Sequence, residues 1–292
     1  MNALFPGFEQ KQIEVSGARI NLVHGGSGPA LLLLHGYPQT HCIWHRVAPR
    51  LAAHFTVVAA DLRGYGDSSK PAGLPDHCNY SKRAMALDQV EAMQALGCNE
   101  FYLAGHDRGG RVAHRLALDH PQRVRKLAVL DISPTRTMLE QTDRALAKAY
   151  FHWFFLIQPT PFPETLIGAD PEFFLKYQMG RRYGGLKVFD PAAMAEYLRC
   201  FSDPATIHAS CEDYRAAETI DLEHDAADEA AKVECPMLAL WGKHGVINEQ
   251  FDCLADWRAK AREVQGCALD CGHYLPEEQP LEVARQLESF FA

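Results

Sequence analysis

Five short apolar runs, ALLLLH (30–35), FTVVAAD (55–61), FYLAGHD (101–107), KLAVLD (126–131) and PMLALWG (236–242), recur along this chain with almost no polar residue interleaved. A strand with one wet face alternates apolar and polar residues, whereas a strand covered by helices on both faces has no need to. The runs therefore predict buried parallel strands. Helical spacing fills the gaps between them: SKRAMALDQVEAMQALG (81–97) stops at Gly97, GGRVAHRLALDHP (109–121) stops at Pro121, and EEQPLEVARQLESFFA makes an amphipathic closing helix. Ahead of these, IEVSGARINLVHGG (13–26) alternates around a Ser-Gly-Ala turn and predicts an opening hairpin. The expected fold class is α/β, with a doubly wound, mostly parallel sheet.

Residues 135–231 break this rhythm, because they hold helical patterns and the aromatic run FHWFF (151–155) but no buried strand. They are expected to form a helical cap, inserted between a first core part (1–134) and a second (232–292). A chain of 292 residues, 47% hydrophobic and 23% charged, can bury one large core of this kind. The net charge of −8 and the lack of any lysine or arginine run exclude a nucleic-acid partner. No stretch approaches the roughly 18 apolar residues of a membrane span, and the opening MNALFPGFEQKQIEV has no basic region ahead of an apolar one, so a cytoplasmic protein is expected. The nine cysteines are an odd number without paired spacings. Cys267, Cys271 and His273 cluster without a fourth ligand, and neither a metal nor a cofactor is expected.

The strand FYLA runs into Gly105-His106-Asp107-Arg108-Gly109-Gly110 and then a helix. A residue on so sharp a strand-to-helix turn needs glycine two positions to either side, since the backbone closes too tightly there for a β-carbon. Hydrolytic elbows usually carry serine, and the aspartate is the informative departure. Serine attacking saturated carbon would leave a stable ether, whereas aspartate leaves an ester whose carbonyl water can later attack. The carboxylate also needs no base for its first step. Alone, Asp107 could be an ordinary loop aspartate capping the helix. His35-Gly36-Tyr37-Pro38, following the first apolar run, is where a second backbone N–H for an oxyanion hole is donated, so the N–H groups of Tyr37 and Arg108 are the expected pair.

A base for the second step is expected in LDCGHYLP (269–276), where the last loop can return His273 over the strand ends. Its orienting carboxylate must end a strand. After LALWG no acid occurs until Glu249, which leaves Asp131 at the end of KLAVLD, a residue that could otherwise cap the turn before Ser133-Pro134. Arg108 and Arg111 fall in the first helical turn after the elbow, where backbone N–H groups are already positive. Two cations there require anions. Asp107 is one, and a substrate carboxylate gripped by both guanidiniums would be the other; outward salt bridges are the alternative.

Taken together, GHDRGGRVAHRLALDHP, HGYP, DLRGYGDSSKP (61–71), HWFF and GHYLPEE resemble the fluoroacetate, or haloacetate, dehalogenases of the α/β-hydrolase superfamily, over nearly the whole chain. The aspartate followed by arginine, with a second arginine three further on, is the most specific of these features. The resemblance implies displacement at the substrate α-carbon by Asp107, with Arg108 and Arg111 holding the carboxylate. His273, oriented by Asp131, then activates water to release a hydroxy acid, glycolate in the case of fluoroacetate. It also implies that His152, Trp153 and Tyr214 surround the leaving halide, and all three are hydrogen-bond donors. FHWFF could instead be only an apolar wall of the cap. A homodimer is what the likeness implies about assembly. Epoxide hydrolases share the aspartate but use two cap tyrosines, where His152-Trp153 stand here. Haloalkane dehalogenases place tryptophan after the nucleophile, where this chain has Arg108. A non-catalytic module with a hydrolase shell would have no need of Asp107, His273, Asp131 and both arginines.

Overall fold

The computed structural model describes residues 4–292; the first three residues of the N-terminal stretch, and of the first core part, lie outside the described residues. Eight strands form one sheet: β1 (Glu9–Glu14), β2 (Arg19–Gly26), β3 (Ala30–Leu34), β4 (Thr56–Ala60), β5 (Phe101–His106), β6 (Val124–Leu130), β7 (Met237–Gly242) and β8 (Val264–Leu269). Their order is β1-β2-β4-β3-β5-β6-β7-β8. The hairpin β1–β2 and the β2–β4 pair are antiparallel, and every later pairing is parallel. The five apolar runs are β3 to β7. Leu31, Leu32, Leu33 and Leu34 of β3 are each at most 1% exposed. Each such side chain contributes roughly 1.5–3 kcal/mol by leaving water.

β8 lies outside the five apolar runs. It is an edge strand in which only Leu269 is fully buried, so it needs no apolar run and shows none. The helices after the runs form where their spacing predicts, at Lys82–Ala95, Arg108–Asp119 and Pro280–Phe291.

Between β6 and β7 the described elements are all helical, from Thr135–Glu140 to Ile220–Ala227. Three of these helices begin with an aspartate-proline pair. Asp170, Asp190 and Asp203 accept hydrogen bonds from the backbone N–H of Phe173, Ala192 and Ala205, while the proline occupies the first helical position, where no N–H is needed. Because β3 to β7 are parallel, their C-terminal ends meet along one edge of the sheet. That edge is where ligands bind in open α/β sheets. Among the described residues no helix is long and apolar enough to cross a membrane. Nor is any group of three or more His, Cys, Asp or Glu side chains among them arranged to hold a metal ion.

Candidate active site

The chain leaves β5 through a backbone that L-residues rarely adopt. Asp107 has φ +48° and ψ −116°, a conformation that costs on the order of 1–3 kcal/mol. It is held there on both sides. Its N–H donates to the carbonyl of Leu130, and its carbonyl accepts from Gly110 and Arg111. The flanking glycines are needed by contact distance. A β-carbon at Gly105 would stand 2.3 Å from the carbonyl oxygen of Gly109, and one at Gly109 would stand 2.3 Å from that of His35.

The loop after β3 closes on the same carboxylate. Tyr37 N–H donates to Asp107 Oδ1 at 2.9 Å, and the approach is so close that a β-carbon on Gly36 would lie 2.6 Å from that oxygen. The Tyr37 half of the expected N–H pair therefore already engages the carboxylate, whereas no hydrogen bond from Arg108 N–H to it occurs among the described residues. His35 anchors this loop, its Nε2 accepting the N–H of Leu62 at 3.0 Å while its Nδ1 faces the carbonyl of Gly36.

Asp131 ends β6 with φ +53°. Its Oδ1 accepts the N–H of Gly242, at the end of β7, at 2.8 Å, and its Oδ2 lies 2.6 Å from His273 Nδ1. An ionised carboxylate only accepts, so His273 carries its proton on Nδ1 and leaves Nε2 basic. His106, the residue before Asp107, had no role assigned from the sequence. Its Nε2 donates to the carbonyl of His273 at 2.7 Å, and the two rings lie 4.7 Å apart. Burial, followed by the field of His273, pushes the His106 imidazole down to about 4, so it is neutral. Asp107 is buried as well, which alone would raise its pKa. The fields of His273, His106, Arg111 and Arg108 outweigh burial and lower it to about 2.

The two arginines differ in their surroundings. Arg108 donates from Nε and Nη2 to both carboxylate oxygens of Asp213, at 2.9 and 2.6 Å, and its guanidinium lies 4.2 Å from the centre of the Tyr214 ring. Asp213, from the helix Pro204–Glu218, also pairs with Lys82 Nζ and accepts the hydroxyl of Tyr65 at 2.7 Å. This buried pair differs from the expectation that Asp107 and a substrate carboxylate would answer the arginines, and it points inward and not to solvent. Burial would lower the Arg108 pKa, and Asp213 reverses this and raises it. Arg111 donates from Nη1 to the carbonyl of Ser133 and the hydroxyl of Thr135, and from Nη2 to Met138 Sδ. Its buried Nε has no partner, and burial together with the neighbouring Arg108 lowers its pKa. Among the described residues Arg111 forms no ion pair.

His152, Trp153 and Tyr214 meet above this floor. The Tyr214 ring lies 5.8 Å from His152 and 6.4 Å from Trp153, and Tyr37 packs against both His152 and Tyr214. Trp153 stacks beneath the Arg111 guanidinium at 4.8 Å. His152 Nδ1, Trp153 Nε1, Tyr214 Oη and Tyr37 Oη are all buried without a hydrogen-bond partner among the described residues. Burial, then the Arg182 field, holds His152 well below the ordinary histidine value. Such a site combines an ionised carboxylate, a base, an uncompensated buried cation and several unpartnered donors. It can attack an electrophile and receive anions.

Known proteins resemble the chain over nearly all its length. A model of the alpha/beta hydrolase fold matches residues 29–280. A fluoroacetate dehalogenase of Burkholderia sp is 50% identical, with 99% of this chain and 95% of that protein aligned. A soluble epoxide hydrolase of Corynebacterium sp is 35% identical over 96% of each chain. The crystal structure of ALR0039 from Nostoc sp PCC 7120 superposes with a TM-score of 0.97 at 60% identity, covering 98% of each chain.

Proposed function

Because the chain belongs to the alpha/beta hydrolase fold family, within its fluoroacetate dehalogenases, it is a hydrolase, and we propose that it converts small halo-acids such as fluoroacetate to glycolate and halide through an ester on Asp107. The observation that carries this reading is the set of buried donors on His152, Trp153 and Tyr214, unpartnered beside an elbow aspartate and an unpaired Arg111. An alkyl halide needs a nucleophile on one side and donors for the departing anion on the other. A carboxylated substrate also needs a cation.

In the first step Oδ2 of Asp107 attacks the α-carbon, because Oδ1 is occupied by the Tyr37 N–H. The carbon–oxygen bond forms as the carbon–halogen bond breaks, and the halide leaves with the bonding pair toward the donors of His152, Trp153 and Tyr214. Hydrogen bonding there matters most for fluoride, whose compact charge makes it the poorest leaving group of the halides. The substrate carboxylate lies against Arg111, assisted by whatever donor capacity Asp213 leaves on Arg108. In the second step His273 Nε2 takes a proton from water, and the hydroxide oxygen adds to Cγ of the ester. Negative charge gathers on the ester carbonyl oxygen, which Tyr37 and Arg108 N–H stabilise. Collapse breaks the Cγ–Oδ2 bond to release glycolate, His273 returns its proton to the product alkoxide, and the carboxyl left on Asp107, which carries the second proton of the water, loses it to solvent to restore the carboxylate. Residues 135–231 act as a cap that keeps bulk water from the leaving halide.

Incubation of the His273→Asn protein with chloroacetate tests this reading. The denatured chain should gain one carboxymethyl group, mapped by peptide mass to Asp107, while the wild-type protein releases fluoride from fluoroacetate. A folded variant that gains no mass overturns the mechanism. Epoxide opening is the second reading, favoured by the unpartnered hydroxyls of Tyr37 and Tyr214, whose rings lie 5.3 Å apart. Diol formation from styrene oxide in place of halide release would select it.

A further inference from the structure

Beside His273 the protein opens into a cavity of about 460 Å³. Lys148, Arg181 and Arg182 enter its wall from the helical segment, and His244 and Glu249 enter from the residues after β7. None of the three cations forms an ion pair among the described residues. Arg181 instead lies 4.9 Å from the centre of the Phe151 ring and donates to the carbonyl of Ala149. Arg182 lies 4.7 Å from the Tyr150 ring, and its buried Nε has no partner. Lys148 is exposed at the rim.

The opposing groups do not cancel this charge. Glu249 is the one carboxylate in the wall. His244 is bound to Asp270 at 2.7 Å, His273 is bound to Asp131, and the neighbouring Glu278 is occupied by the N–H groups of Gly272 and Tyr274. The wall is therefore positive in a chain whose net charge is −8. Inward, the Tyr150 ring beneath Arg182 lies 5.6 Å from His152 and 5.2 Å from Trp153. The Tyr150 ring thus touches both a cation of the cavity wall and the rings that carry the unpartnered donors.

We infer that this cavity is an anion vestibule, in which Lys148, Arg181 and Arg182 capture a small carboxylate from solution and deliver it past His273 to Arg111. The inference rests on the proposed halo-acid chemistry for its substrate, but the site itself recognises charge alone. A protein carrying an excess of negative charge repels an anion at long range, and a cleft lined by one sign of charge with low-dielectric walls reverses that repulsion locally. Screening by salt acts over the same distances, so capture of this kind weakens as ionic strength rises.

Two measurements test it on Lys148→Gln, Arg181→Gln and the triple Lys148→Gln/Arg181→Gln/Arg182→Gln protein. Broadening of the chloride-35 resonance reads anion residence whether or not any substrate turns over, and it should fall by about half or more in the triple variant. With chloroacetate, kcat/KM should drop about 10-fold in the triple variant, with a much smaller change in kcat. Its decline with added potassium chloride should also be shallower than in the wild type. Arg285→Gln, on the closing helix, makes the same one-charge change as each single variant and should leave kcat/KM within about twofold. Unchanged chloride broadening in the folded single variants, or equal salt slopes in wild type and triple variant, overturns the vestibule. Reduced broadening in a protein that releases no halide from any halo-acid upholds the vestibule and removes the proposed reaction.

Discussion

On the sheet side of the site nearly every polar group has its partner, and on the helical side several have none. Asp107 Oδ1 takes the Tyr37 N–H, Asp131 takes the Gly242 N–H and holds His273, and His106 donates to the His273 carbonyl. Opposite them, His152 Nδ1, Trp153 Nε1 and Tyr214 Oη find no partner among the described residues. A group already satisfied at rest need not reorganise when bonds change. A buried group left unpaired costs about 1–3 kcal/mol of stability unless a ligand supplies what is missing. One wall is thus preset for covalent chemistry, and the other is set to receive an anion.

The contrast breaks most easily at Trp153. Trp153→Phe keeps an aromatic ring beneath Arg111 and removes one donor, so the loss should fall on the step in which halide departs. Removing a single donor from a preorganised anion site costs about 10²-fold or more. Fluoride release from fluoroacetate should fall by about that factor, and chloride release from chloroacetate by less, because chloride leaves with weaker demand for hydrogen bonds. Equal losses for the two halides would mean that the indole serves only as packing.

A second pair of variants sharpens the difference between the arginines. Asp213 lies between Arg108 and Lys82, so Asp213→Asn leaves buried Arg108 facing a neutral amide, while Lys82 keeps Asp221 at 3.1 Å. Breaking a buried ion pair in this way costs about 3–5 kcal/mol. Arg111 has no such partner among the described residues, and Arg111→Gln should leave stability unchanged or raise it by about 1 kcal/mol while KM for halo-acids rises. Chemical denaturation of both variants reads the two signs. A destabilised Arg111→Gln protein would show that its bonds to Ser133, Thr135 and Met138 outweigh its uncompensated charge.

The sheet side was also the more legible in the sequence. Its residues stand in turns whose backbone demands particular neighbours: Gly105 and Gly109 frame Asp107 because a β-carbon at either would strike main-chain atoms. Asp131 was found because it ends an apolar run, and His273 because it follows glycine in the last loop. The helical side gives no such signal. Asp213 is the residue before Tyr214, yet it was passed over, since an acid within CEDYRA has the composition of any solvated helix face and only tertiary packing reveals that it is 0% exposed. The partnering of His106 with the His273 carbonyl was hidden for the same reason, as it joins residues 167 positions apart. β8 escaped because an edge strand needs little apolar sequence.

The smallest effect expected is a flat line, and it belongs to the first step on the sheet side. The Asp107 carboxyl is depressed to about 2, because the fields of His273, His106 and the two arginines overcome the effect of burial. For a carboxyl lowered in the folded state, the anion and the stability it confers are present above the unfolded value, and are lost only as pH falls through the lowered one. Ester formation should therefore stay constant from neutrality down to about pH 4, near the ordinary aspartate value. Steady-state turnover also needs His273 to take a proton from water, so the first step must be read by itself. The comparison belongs on the wild-type protein, by rapid quench with chloroacetate, because replacing His273 would remove part of the field under test. If ester formation instead falls to half near pH 4, the surrounding cations do not act on the nucleophile, and the preset wall owes its reactivity to backbone geometry alone.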